Sequence, residues 1–370
     1  MPATRRTLLR ALIGTGLAAP AVISAQGHAP GITPALVRAA QKEGTLSYYH
    51  NSNIETTGRW TELFSRRFGV TVRNTRLTSY PLYERWLNET RVGRHIADVL
   101  QVNDPILLGD AGRLGFIADY TPQGGAMIPA EMKAEGVWYG IYTAPMGIGY
   151  NHRLVTAQEE RMLQTGGWDV LADPRWKRRF ATATPAGGGS SYAYSYMFLT
   201  ALRERYGPAW FARVAANKPD IFLSKSPLYE RLAAGEYAIM DQAVAGTLSE
   251  MYLTGAPVRW AFPAPTPISL TAQAVTRHAP HPSAARLFQE WCTTREGQAE
   301  WLRTTIVSAT RPDVPDPRRA ARGDWYGEPW YREPTELYTG YLKDPGFADP
   351  KKPVIAEWNA IFNYMSGRRD

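Results

Sequence analysis

Cysteine is almost missing from this chain. Its 370 residues include one, Cys292, which can neither close an internal disulfide nor build a thiolate zinc or iron–sulfur site. Beyond residue 25 no apolar run approaches the roughly 20 residues that a membrane span takes. No low-complexity tract is present, and 12 Trp, 20 Tyr and 11 Phe set the composition far from that of a disordered polypeptide. There is no nucleotide loop ending in Gly-Lys-Ser/Thr and no dinucleotide spacing, so ATP and NAD find no support and no cofactor is expected. Lysine and arginine are scattered. Their densest cluster, Arg175 to Arg179, reads as a solvated turn before a strand, and no nucleic-acid partner is expected.

What remains is a chain with 44% hydrophobic and 21% charged residues, long enough for a large core and for two lobes. Met1 to Ala25 has a basic start with Arg5, Arg6 and Arg10, an apolar run from Ala11 to Ala19, and Pro20 ahead of the small residue Ala25. This pattern predicts a removable signal peptide over 1–25, and Arg5-Arg6 followed by Leu8-Leu9 resembles a twin-arginine export signal. No cysteine follows the run to carry a lipid anchor. Losing those three arginines lowers the formal charge from +8 to +5. The expected mature protein is exported, soluble and periplasmic, with a positive excess that favours anionic ligands.

Strand and helix alternate. A leading helix is expected over 34–43, strands over 45–50, 70–77 and 97–102, and helices over 57–68 and 81–91, the last two with apolar residues at helical spacing. Asn103-Asp104-Pro105 opens a further helix with an acidic cap and a proline at its first position. Such a series predicts a mostly parallel sheet with its ligand crevice beyond the carboxyl ends of the strands. Short strands at 139–143 and 147–151 then carry the chain toward a second lobe. There, a strand at 180–184 leads into Gly187-Gly188-Gly189-Ser190-Ser191 and a helix over about 192–206. Three glycines permit close backbone approach to a ligand. Ser190 or Ser191 as cap would leave the helix start open to a phosphate, phosphonate or carboxylate.

The order of the segments Lys42–Tyr49, Ile96–Leu100, Trp138–Ile141, Ile148–Asn151, Asp173–Lys177, Leu232–Ala238 and Ala279–Phe288 resembles the extracellular solute-binding proteins of ABC importers. The resemblance is to the ferric-iron branch, which also includes binders of phosphonates and sugar phosphates, and it covers about residues 35 to 315. It implies an α/β, two-lobed periplasmic-binding-protein fold, each lobe a mainly parallel sheet flanked by helices, with a ligand cleft at a hinge of two crossing segments. The expected division is 26–140 with 262–340 as the first lobe, 141–261 as the second, and 341–370 as a helical tail. Positions matching the family's ligand loops are His50, Asn51 and Ser52, then Thr78 and Ser79, then Asn103 and Asp104. In the second lobe they are Gly189, Ser190, Ser191 and Tyr192, then Lys225 and Ser226, then Asp241 and Gln242.

The same resemblance raises ferric ion as an alternative ligand. Iron-binding relatives place an adjacent tyrosine pair where this chain reads Asp241-Gln242-Ala243-Val244. Tyr48 and Tyr49 offer the right donor type, yet neighbouring strand residues point to opposite faces. Tyr192, Tyr194 and Tyr196 read as packing, as do Trp60 and Trp86. His278 and His281 read as a loop feature, and His95 and His152 have no partner by spacing, so no metal site is expected. Ser190 lacks a Gly-x-Ser-x-Gly elbow, and no catalytic residue is assigned. The expected function is therefore capture of a small organic anion by a monomer that delivers it to a membrane permease. The aromatic residues Trp325, Tyr326, Trp330 and Tyr331 are expected to fasten the lobes together.

Overall fold

The computed structural model describes residues 29–304, 307–348 and 353–364; the expected signal peptide lies outside them. The first lobe opens with α1 (Pro34–Glu43), capped by Thr33 and closed by Gly44 at φ 74°. Strand β1 (Thr45–His50) follows, then α2 (Ile54–Phe68), β2 (Thr71–Arg76), α3 (Ser79–Arg91), β3 (Val99–Val102) and α4 (Pro105–Arg113). β1 pairs in parallel with both β2 and β3, as the alternation predicts. Helix α2 begins three residues before the apolar spacing suggests, because Asn53 accepts from the amides of Glu55 and Thr56 and so caps it.

A short β4 (Lys133–Ala134) leads into β5 (Trp138–Asn151), one continuous strand where two short ones are expected. Its first half pairs with β10 (Thr266–Val275), and its second half with β8 (Ile239–Val244) and β9 (Val258–Ala261), all antiparallel. β5 thus carries the chain out of the first lobe, and the β9–β10 stretch brings it back alongside. In the second lobe β6 (Phe180–Ala183) pairs in parallel with β7 (Asp220–Phe222) and β8. Its helices are α5 (Ala157–Thr165), α6 (Gly189–Leu199), α7 (Arg203–Tyr206), α8 (Pro208–Ala215), α9 (Lys225–Ala234) and α10 (Ala245–Leu253). Then α11 (Pro282–Thr293) and α12 (Arg295–Thr304) return to the first lobe. No helix among the described residues is long and apolar enough to cross a membrane.

Each lobe has an aromatic core. In the first, Trp60 meets Phe288, Trp291 and Trp301 at ring separations of 5.4, 4.9 and 4.4 Å, and its indole N–H donates to the Gly297 carbonyl. Replacing Trp60 by alanine is expected to cost about 3–5 kcal/mol, the range for truncating a large buried aromatic side chain. Urea unfolding measures this, and a loss below about 1 kcal/mol would contradict the packing role. In the second lobe α6 is buried along its whole length, Tyr192, Tyr194 and Tyr196 included. It ends at Leu199, earlier than its expected end at Tyr206, and α7 restarts from a separate turn.

The C-terminal part departs from the expected division of the chain. Trp325 and Trp330 pack on Trp260 of the second lobe, 6.1 and 4.9 Å between rings. They belong with that lobe and do not bridge the two, because Trp260 and Tyr252 offer the apolar surface they cover. The last helix described, Val354–Phe362, also packs on the second lobe, with Phe362 against Phe211 and Glu357 paired to Arg203.

Candidate functional site

Between the lobes, at the carboxyl ends of the parallel strands, lies a cleft of about 400 Å3. The first lobe supplies Asn51 and Ser52 after β1, Arg76 and Thr78 at the end of β2, Ser79, and Asn103 after β3. These groups are held by one another. Asn51 Nδ2 donates to Ser79 Oγ (2.8 Å) and Asn103 Oδ1 (2.5 Å), and Ser79 Oγ donates to Asn103 Oδ1 (2.6 Å). Behind them the buried Gln101 donates to Asn51 Oδ1 and Ser52 Oγ, both at 3.0 Å. Tyr142 reaches the cleft from the crossing strand and shares a 2.6 Å hydrogen bond with Ser52.

The second lobe supplies Gly187 to Ser191, Ser224 to Ser226, Tyr229, Thr247 and Glu250. Lys225 Nζ donates to Ser190 Oγ at 2.5 Å and to the Gln242 carbonyl at 3.2 Å. Burial pulls this amine down to about 7, with the Asp241 carboxylate acting in the opposite sense. Glu250 lies on the same wall and accepts from Thr56 of the first lobe at 2.7 Å; burial holds its carboxyl above the usual range.

The glycine run works differently from its expected role. Gly188, not Ser190 or Ser191, occupies the cap of α6, and both serines sit within the first turn. Gly188 and Gly189 have φ of 74° and 57°, a region in which side chains are strained. A Cβ at Gly188 would stand 2.7 Å from the Tyr80 ring, and one at Gly189 2.4 Å from Asn103 Oδ1. Both contacts are with the opposite lobe. The run therefore lets the lobes meet, and the backbone amide of Gly189 faces the Asp104 carboxyl instead of an open anion site.

Five of the expected ligand residues stand behind the cleft wall. His50 ends β1 buried, stacked on Tyr48 at 5.3 Å, and desolvation lowers it to about 4. Asp104 is buried behind Asn103, and Tyr192 packs on Tyr196 and Phe347. Asp241 and Gln242 are buried in β8, where Gln242 at φ 49° donates to Thr182 and to the Ala183 carbonyl. β8 is buried from Ile239 to Ala243, so neither face of that stretch reaches the cleft, whereas after β1 the next residue, Asn51, does. Asn51, Ser52, Ser79, Asn103, Gly189, Ser190, Ser191 and Ser226 do line it together. Missed by sequence reading were Arg76, Tyr142, Tyr229, Thr247 and Glu250; only Arg76, a cation at a strand end, carried a local signal.

The histidines away from the cleft also differ. His281 bonds Asp98 through its amide (2.6 Å) and ring Nδ1 (2.9 Å), which fixes the start of α11. His95, without a partner by spacing, lies with its ring 4.6 Å from that of His278. Among the described residues no three His, Cys, Asp or Glu side chains come together as a metal-holding group.

The buried carboxyls set a pH dependence of stability. Desolvation raises Asp104 and Asp241 to about 7, so over about pH 4 to 7 the folded protein holds protons that the unfolded chain has released. Their contribution to stability is full at low pH and is lost as pH rises through that window. Asp104→Asn is expected to flatten part of the slope. Urea unfolding at pH 5 and pH 7 reads it, and an undiminished difference between the two would remove Asp104 from the cause.

Comparison with known proteins gives a consistent result. Residues 123–304 match the family described as bacterial extracellular solute-binding protein. No curated protein matches the chain by sequence. Among solved structures, the periplasmic binding protein P5PA is similar with a TM-score of 0.68 at 18% identity, over 86% of this chain and 99% of that one. AfuA from Actinobacillus pleuropneumoniae, with fructose-6-phosphate bound, gives 0.68 at 18% identity over 87% and 99%. Iron-bound HitA from Pseudomonas aeruginosa gives 0.65 at 16% identity over 86% and 99%. Residues 123–304 thus match the bacterial extracellular solute-binding protein family, and the chain has the two-lobed fold that these periplasmic binding proteins share.

Proposed function

We propose that the protein captures a small organic anion, phosphorylated, phosphonate or carboxylate, by closure of its lobes and delivers it to a membrane permease. One observation carries this reading: Arg76 of the first lobe and Lys225 of the second line the same cleft, among the hydroxyls of Ser52, Thr78, Ser79, Ser190, Ser191, Ser224, Ser226 and Thr247. Opposed cations above a hydroxyl-rich wall suit an anion that both lobes grip, so that ligand stabilises the closed form. The binder works outside the cytoplasm, reached through a twin-arginine signal over 1–25, and turns nothing over.

Ferric ion is the second reading, favoured by the phenols of Tyr142 and Tyr229 and the carboxyl of Glu250 on the cleft wall. Each of these already has a protein partner, in Ser52, the Val244 amide and Thr56 respectively. The anion is therefore preferred.

Calorimetry with a phosphate monoester, a phosphonate, a dicarboxylate and ferric citrate tests the choice. The expected result is binding of one of the iron-free anions, weakened about tenfold, or about 1.4 kcal/mol, by Arg76→Ala. Binding of ferric citrate alone would overturn the reading.

A further inference from the structure

Beside Ser190, Lys225 on the cleft wall and Asp241 behind it are two ionisable side chains that do not close an ion pair. Lys225 donates only to neutral acceptors, the Ser190 hydroxyl and the Gln242 carbonyl. Asp241 is 1% exposed, and its Oδ1 has no hydrogen-bond partner. The two groups feel each other's charge but share no hydrogen bond. A buried charge without a bonded counter-ion is costly, so each group is driven toward its neutral form. Burial accordingly brings the lysine down and the aspartic acid up, both to about 7.

The other charged or titratable groups around the pair are few. Arg76 faces it from β2 across the cleft, Glu230 lies on α9, and Glu250 on α10. Tyr194 of α6 adjoins Asp241, and Asp104 stands beyond Gly189. None supplies the counter-charge that would fix Lys225 as a cation in the empty cleft.

We propose that anion capture in this cleft is proton-coupled: the arriving anion draws one proton from solvent onto the Lys225–Asp241 pair, and ligand and proton are held together. This rests on the anion-binding reading above. The bound anion provides the missing counter-charge, Lys225 takes the proton and donates to it, and the wall gains one positive charge. No bond other than N–H forms or breaks. Affinity then rises as pH falls through about 7 and levels off below it. For a ligand of constant charge, the expected change from pH 6 to pH 8 is about tenfold weaker binding.

Sulfate is the suitable probe, because its charge does not change over that range. Calorimetry at pH 7 in buffers of different ionisation enthalpy reads proton uptake, expected at about half a proton per sulfate. In parallel, NMR of protein labelled at the lysine ε-carbons, with Lys225→Met assigning the signal, reads Lys225 in the free protein. Its midpoint is expected near 7, and lower in Asp241→Asn, which removes a charge that favours the ammonium. A free-protein midpoint above about 9, or sulfate binding without proton uptake, would overturn the proposal. Absence of sulfate binding at every pH would instead count against the anion-capture reading, while the free-protein midpoint still decides whether the pair is poised to take up a proton.

Discussion

Gly189→Val is expected to weaken ligand binding by at least about 100-fold, or about 2.7 kcal/mol, while each lobe stays folded. A Cβ at this position would stand 2.4 Å from Asn103 Oδ1 and 3.3 Å from Ser79 Oγ, both in the opposite lobe. Separation of the lobes relieves the collision, so it falls on the closed form and not on either core. The left-handed backbone at φ 57° adds a local cost of about 1–2 kcal/mol for any side chain. Calorimetry reads the affinity and small-angle scattering reads closure. The expected variant is more open than the parent with ligand present; tight binding with unchanged closure would contradict the role given to the glycine run.

The second large effect is expected at Lys225. Lys225→Met should lower anion affinity by at least about 30-fold, from the range of about 2–5 kcal/mol that loss of one partner from a buried charged contact costs. Stability should hold or rise, because a desolvated amine is replaced by an apolar chain of similar length. Anion titration together with urea unfolding separates the two quantities. A variant that binds as well as the parent would move the anion's counter-charge elsewhere in the cleft, to Arg76 first. One that loses stability and affinity together would make Lys225 a structural residue.

Much of the fold is legible in the sequence because its signals are local. Proline at the start of α1 and α4, glycine closing α1 and α2, and apolar spacing on α2 and α3 mark the elements, and their alternation implies the parallel pairing of β1 with β2 and β3. The site is legible only in part. Loops at strand ends identify Asn51, Ser79 and Asn103, yet which residues near each strand end turn outward is set by packing, and His50 and Asp241 stay inside. Tyr142 and Glu250 reach the cleft from the crossing strand and from a helix, where nothing in the surrounding residues sets them apart. The glycine run is a third case. Its flexibility is evident from sequence, but its partners Tyr80 and Asn103 lie roughly 100 residues earlier, so its part in bringing the lobes together belongs to tertiary structure. The same holds for Trp325 and Trp330, whose lobe is decided by Trp260.

Capture of an organic anion in the cleft between the lobes is what the opposed Arg76 and Lys225 most directly imply. Native mass spectrometry of protein purified from its export compartment without refolding, compared with the denatured chain, tests it directly. The expected result is a non-covalent mass increment matching a small organic anion, lost in Lys225→Met. An increment matching iron, with or without a small accompanying anion, would contradict it.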